Sequence, residues 1–297
     1  MKTFLMLALL GCAIGIQPAQ AQTPVGSAAA LRAKHDALAP QLRQNAFQKP
    51  LHLASTESGN AVSGDIFAVV ATSFDQAGPA LAQPESWCEI LLLQFNVKLC
   101  RAAAQGEGAA LEVSIARKPE QPAEQAYKVA FNYQVEERAA DYLRVRLHAA
   151  KGPVSTRDYR ILLEASPLAD GRTFVHLFYA YGFGGAGKLA MQFYLGGSGA
   201  DKVGFTPVGG GQDQLVGGMR GVIERNTMRY YLAIEALLGA LGSPRPARFE
   251  KAARDFHAGT VRYKRQLYEM EQGPYLDMKR REYQAQVQGQ PQSQARR

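Results

Sequence analysis

Residues 219–241 read MRGVIERNTMRYYLAIEALLGAL. Ile223, Tyr230, Ile234, Leu237, Leu238 and Leu241 recur at helical spacing, and Gly242 with Pro244 closes the run, so the stretch predicts one long amphipathic helix. Such an apolar stripe needs an apolar surface to lie on, and the preceding sequence supplies it. The segments LEVSIARK (111–118), AYKVAFNYQVEE (126–137), DYLRVRLHAA (141–150), RDYRILLEAS (157–166) and RTFVHLFYAYGF (172–183) alternate with period two, and the gaps hold turn residues such as Pro167, Asp170 and Gly171. Short connections between successive strands give an antiparallel meander. Leu143, Val145 and Leu147 share one face while Tyr142, Arg144, Arg146 and His148 share the other. In the same way Tyr127, Val129, Phe131, Tyr133 and Val135 stand against Lys128, Asn132 and Gln134. One side of the sheet is therefore apolar, and the long helix is expected to cover it.

Two more β-like stretches, 51–57 and 61–72, lie upstream around a Gly-Asn turn. Residues 74–83 read as a short helix interrupted at Gly78-Pro79, and Pro84-Glu85-Ser86 opens a second through Trp87 to Phe95. The segment 22–49 forms an N-terminal accessory unit, with Leu31, Leu38 and Leu42 at near-helical spacing and a break or kink at Pro40. Residues 243–287 form a basic helical extension, with ten Lys/Arg against six Asp/Glu between Arg245 and Glu282. It either packs back on the domain through Phe249, Phe256, Leu267 and Met270 or meets an anionic membrane surface. The Gln-rich end, 288–297, lacks apolar residues and is expected to be a disordered tail.

The chain opens MKTFLMLALLGCAIGIQPAQAQTP. A basic start, an apolar run from Phe4 to Ile16 and Ala19-Gln20-Ala21 predict a signal peptide, residues 1–21, cleaved after Ala21, and a periplasmic or secreted protein. A lipoprotein signal through Cys12 is the competing reading. In an oxidising compartment Cys88 and Cys100 are expected to pair, but they flank ILLLQFNVKL; as one helix it would hold them ~18 Å apart, so a bridge requires a break near Asn96. Two separate buried thiols are the alternative. The five histidines have no metal-ligand spacing, no GxSxG or SxxK nucleophile motif occurs, and neither metal nor cofactor is expected. The formal charge of +8 does not by itself suggest nucleic acid, which an exported protein rarely meets.

A strand leading into a helix that ends near a tryptophan, GDIFAVVATSFDQAGPALAQPESW (64–87), followed by antiparallel strands and the helix GMRGVIERNTMRYYLAIEALLGAL (218–241), resembles the START-like, helix-grip (SRPBCC, polyketide cyclase-like) superfamily. The resemblance covers residues 50–242. It implies an α+β fold in which a curved antiparallel sheet wraps a long C-terminal helix around a cavity. It also implies a carrier of an apolar or amphipathic small molecule or, as the alternative, a cyclase-like or hydrolytic enzyme; it transfers no catalytic residue. A third reading is a cavity-free scaffold acting through its basic extension.

The stretch YAYGFGGAGKLAMQF (179–193) fits both GxxxxGK and GxGxxG, yet the strands before it are antiparallel and Leu189 follows Lys188 where a magnesium-binding hydroxyl would stand. Its glycines read as hinges, and residues 183–218 as a mobile cover over the cavity, with Met191, Phe193, Tyr194 and Phe205 as its apolar side chains. The expected cavity residues are Trp87, Tyr133, Tyr159, His176, Phe178 and Tyr230, with Arg225 and Arg229, spaced i,i+4, as an anchor for an acidic group. Each has a plainer reading: Trp87 and the strand aromatics as core, His176 as a hydrogen-bonded core histidine, and the arginines as solvated or ion-paired.

Overall fold

The computed structural model describes residues 26–185, 202–209, 214–244 and 247–288. Eight strands run β1 Leu51–Ser58, β2 Ala61–Val70, β3 Val97–Gln105, β4 Gly108–Ile115, β5 Tyr127–Arg138, β6 Leu143–Lys151, β7 Thr156–Pro167 and β8 Thr173–Phe183. The helices are α1 Ala28–Ala37, α2 Ala39–Arg43, α3 Phe74–Leu81, α4 Pro84–Leu92, α5 Gly218–Gly239, α6 Ala247–Arg262, α7 Lys264–Leu267 and α8 Gln272–Gln288. The strands form one antiparallel sheet of order β1-β2-β8-β7-β6-β5-β4-β3. From β3 to β8 it is a meander, and β8 then closes against β2. Where the chain turns most sharply, between β1 and β2 and between β3 and β4, Gly59 and Gly106 take φ of 58°.

The α+β helix-grip architecture expected from the sequence is the one observed. Val129, Phe131 and Tyr133 of β5, Leu143, Val145 and Leu147 of β6, and Val175, Leu177 and Tyr179 of β8 are buried on the inner face in one core with Ile223, Ile234, Leu237 and Leu238 of α5. Each such side chain contributes ~1.5–3 kcal/mol by leaving water. The helix approaches closely because β2 carries Gly64: a Cβ there would stand 2.4 Å from Thr227 Oγ1. α5 lies over β1, β2 and β8, with α6 packed on its other side, so it is buried nearly all round.

One strand goes unread in the sequence. α4 ends at Leu92 rather than Phe95, and after a four-residue turn β3 begins at Val97. The turn at Asn96 is the break a bridge requires: Cys88 and Cys100 form a disulfide with Cα atoms 5.1 Å apart. α3 runs through Gly78 and Pro79 without interruption, and the accessory unit divides at Leu38 into α1 and α2. The leader, residues 1–21, lies outside the described residues, as does most of the 288–297 tail; Gln288 ends α8. Among the described residues no helix is long and apolar enough to cross a membrane.

The C-terminal extension is part of the domain. Phe249, Phe256 and Leu267 are buried in the main core, and Met270 packs against it. α8 also supplies what the end of α4 lacks, because the last carbonyls of a helix have no partner within it. Tyr275 donates to the Leu93 carbonyl at 2.7 Å, while the buried Lys279 ammonium donates to Gln94 O, to Val97 O at 3.0 Å and to Glu282 at 2.7 Å. Gln286 accepts the Cys100 N–H at 2.9 Å and so occupies the edge of β3.

Two outcomes follow for stability. Reducing the Cys88–Cys100 bridge opens a short loop and should cost ~3 kcal/mol, read as a lower denaturant midpoint with reductant than without. Burial lowers the Lys279 pKa from 10.5 to about 8, so between those values the unfolded chain holds more protons than the folded one. Wild-type stability relative to Lys279→Met should therefore rise with pH across that interval, by up to ~3 kcal/mol. A difference that stays flat from pH 7.5 to 10 contradicts this.

Candidate ligand-binding site

Where the concave face meets α5, four tyrosines gather. β8 alternates so that Tyr179 and Tyr181 both point inward, and both are buried. β7 is irregular between Arg157 and Arg160, with Asp158 at φ 51°, and Tyr159 faces inward beside them. Its ring stacks on Tyr181 at 5.3 Å and 16°, lies 6.3 Å from Tyr179, and meets Phe131 of β5 edge-on at 6.3 Å. From α5, Tyr230 comes to 4.9 Å from Tyr179. Gly152 makes room for Tyr159, since a Cβ there would stand 2.2 Å from the ring.

Tyr159 and Tyr230 stay partly exposed although the wall around them is buried. Burial raises the pKa of all four phenols, so they remain protonated and can exchange hydrogen bonds but cannot act as bases near neutrality. Tyr159 donates to Thr156 Oγ1 at 2.9 Å. The cluster is aromatic, weakly polar and uncharged.

Of the eight expected cavity residues, only Tyr159 and Tyr230 meet in it. Trp87 is fully buried and its indole N–H donates to Leu81 O at 2.8 Å; the Tyr133 hydroxyl is spent on the same carbonyl at 3.3 Å. His176 and Phe178 lie on the opposite face of the sheet. β8 is covered on both sides, so its two faces are equally apolar and period two gives no contrast to choose between them. His176 is the hydrogen-bonded core histidine, between Asp65 and Glu164.

Arg225 and Arg229 are both engaged by protein groups, and Arg225 lies near enough to Tyr181 for its charge to oppose the rise that burial imposes on that phenol's pKa. Arg225 is buried and donates to the carbonyls of Lys202 at 3.0 Å and Val203 at 3.3 Å. Arg229 pairs with Glu269 and sits over the Phe95 ring. Their i,i+4 spacing serves two attachments, one to the loop before α5 and one to the C-terminal extension. Of the expected cover, Met191, Phe193 and Tyr194 lie outside the described residues. Phe205 is instead a fixed wedge, 5.7 Å from Phe47 and 5.5 Å from Tyr263.

The clamp on that loop is Glu224, which is completely buried. It accepts the N–H groups of Phe205 at 2.5 Å and Thr206 at 3.0 Å and the hydroxyls of Ser55 and Thr206, each at 2.6 Å, with Arg220 3.9 Å away. Surface hollows of about 530, 520 and 300 Å³ lie beside α2, between residues 119–123 and α8, and between α5 and α6; none of these three borders the tyrosines. No group of three or more His, Cys, Asp or Glu among the described residues is placed to hold a metal ion.

No protein-family model and no curated protein matches the chain. Among solved structures it is similar to an aromatase/cyclase from a Streptomyces species (13% identity, TM-score 0.37, 64% of this chain and 94% of that one). It is similar also to a conserved protein from Geobacillus kaustophilus (13%, 0.35, 60% and 95%) and to norcoclaurine synthase from Thalictrum flavum (14%, 0.33, 49% and 88%). At these values the likenesses carry no residue role or activity over to this chain.

Replacing Glu224 by Gln keeps the size but turns an amide NH₂ toward donors that need an acceptor. The change should cost ~3 kcal/mol by denaturation and speed proteolysis within 202–216; a variant as stable and as resistant as wild type would contradict the clamp.

Proposed function

We propose that the protein is an exported binding or carrier protein for an uncharged, largely apolar small molecule held between the concave face of the sheet and α5, against Tyr159, Tyr179, Tyr181 and Tyr230. The observation that carries this reading is the partial exposure of Tyr159 and Tyr230 where weakly polar rings gather on the inner face. Pockets for small ligands are mostly apolar with a few directed polar groups, and four neutral phenols fit that description. A basic anchor for an acidic group is not part of it, because both arginines expected to provide one already hold protein groups.

Binding is favoured over catalysis by the same phenols. General acid–base chemistry near neutrality needs groups that titrate there, and burial moves these tyrosines away from that range. The basic extension also argues against a scaffold acting through a free tail. Arg254 and Arg280 pair with Glu250, and Lys251 with Asp255, so these side chains are held within the helices.

The test is native mass spectrometry of the purified full chain, followed by titration with an uncharged fluorescent sterol and a fluorescent fatty acid. A co-purified or added neutral guest that Tyr159→Ala and Tyr230→Ala weaken by tenfold or more is the expected result. A protein that arrives empty and binds neither probe overturns the reading; tighter binding of the fatty acid overturns its uncharged specificity.

A further inference from the structure

The outer face of the sheet carries a second polar assembly that ligand binding does not use. His176 stands directly opposite Glu164 across β7 and β8, with Asp65 of β2 on its other side. Its Nδ1 is 2.8 Å from Glu164 Oε2 and its Nε2 is 2.7 Å from Asp65 Oδ1. Glu164 is fully buried, His176 is 1% exposed and Asp65 is 7% exposed. The other Glu164 oxygen accepts the Tyr142 hydroxyl and, at 2.6 Å, the Gly26 N–H. The His176 ring lies flat on Phe67, 4.2 Å between centroids.

The cover over this assembly is the N-terminal segment. Leu31, Leu38 and Leu42 of the α1–α2 region pack in one cluster with Phe67, Val69, Tyr142 and Phe174. Lys34 sits 5.0 Å above the Phe67 ring, His35 meets Phe174 at 4.9 Å, and Arg32 pairs with Asp141 at 3.0 Å.

Both nitrogens of His176 face carboxylate oxygens at hydrogen-bond distance, and a neutral imidazole has only one N–H to give. With both carboxylates ionised, the geometry calls for the imidazolium. With two carboxylates the assembly then carries a single negative charge, and Lys34 lies close by. Loss of one ring proton would take the ring's donor from one of the two carboxylates and raise the buried charge to minus two, with Tyr142 and Gly26 still donating to Glu164. Admitting water relieves this. The strands are held by ladders on both sides, whereas the N-terminal segment is held by side-chain contacts of Leu31, Leu38, Leu42, Lys34 and His35, by the Gly26 N–H to Glu164 and by an exposed ion pair, so it is the element that can leave.

We propose that Asp65, His176 and Glu164 form a proton-operated latch. The doubly protonated ring keeps the strap of residues 26–43 docked on the outer face, and loss of a proton frees the strap and bares Phe67, Val69, Phe174 and Tyr142.

The charged and titratable neighbours agree with this assignment. Burial pulls the His176 pKa down, but Asp65 and Glu164 outweigh it and leave it raised above 6.5. Burial raises Glu164, but His176 and Tyr142 outweigh that and leave it lowered below 4.5. A histidine raised above its free value stabilises the folded assembly while the ring is doubly protonated and loses that contribution as pH rises through the raised value; the lowered Glu164 stays ionised further to the acid side. From β1, burial and then Lys34 lower the pKa of His52, so it is neutral through most of this window. Arg144 of β6 is engaged by Glu136, and His35 of α1 lies beside Asp36.

The test is amide exchange in the full chain from pH 5.5 to 9, expressed as protection factors, comparing residues 28–43 with β8. Strap protection should fall at least tenfold above the His176 midpoint while β8 holds. His176→Gln should leave the strap weakly protected at every pH, and His35→Gln should keep the wild-type profile. Ring ¹⁵N shifts of His176 in the wild-type protein, which do not depend on any variant folding, should show both nitrogens protonated at pH 6 and the same midpoint as the exchange. A strap still protected at pH 9, a pH dependence that survives His176→Gln, or a ring that is singly protonated at pH 6 overturns the latch.

Discussion

An eight-stranded sheet has two faces and two open edges, and the rest of this chain is arranged by the need to cover them. α5 lies on the inner face over β1, β2 and β8, held close by the missing side chain at Gly64. α3 and α4 meet the inner face from β7 and from β3 and β4, α1 lies on the outer face of β7 and β8, and α8 takes the β3 edge. Toward β7 the long helix meets the inner surface through Tyr230, which lies against Tyr179 beside Tyr159. There Tyr159 and Tyr230 keep part of their surface free.

Three buried charges attach the parts that lie outside the sheet and its gripping helix. Glu224 holds the loop before α5, Lys279 ties α8 to the end of α4, and His176 with its carboxylates underlies the N-terminal strap. Each ion has several hydrogen-bond partners, the condition under which a buried charge is tolerated, although for Lys279 burial still outweighs them. Removing any one partner leaves an ion or a set of donors stranded. The attachments are therefore specific.

The architecture was legible because its signals repeat. Alternation in β5 and β6 and the helical stripe of α5 are averaged over many residues, so single exceptions do not obscure them. β3 was not legible because its run continues the apolar helix α4 without a turn residue stronger than Asn96, and only the geometry of the Cys88–Cys100 pair hinted at the break. His176 and Phe178 were placed on the wrong face because β8 is covered on both. Arg225, Arg229, Glu224 and Lys279 carry no such pattern: a single charged residue on a helix reads as solvated unless its partner, tens of residues away, is known. Tyr179 and Tyr181 were visible as strand aromatics, but their meeting with Tyr159 depends on an irregularity in β7 that composition does not announce.

The guest proposed for the wall of Tyr159 and Tyr230 is oily and uncharged. A crystal of the full chain soaked with a brominated neutral hydrocarbon locates that guest directly by anomalous scattering. The account predicts a bromine peak within van der Waals reach of both rings. Peaks confined to the surface hollows beside α2 and α8, with the tyrosine wall closed on itself, would contradict it.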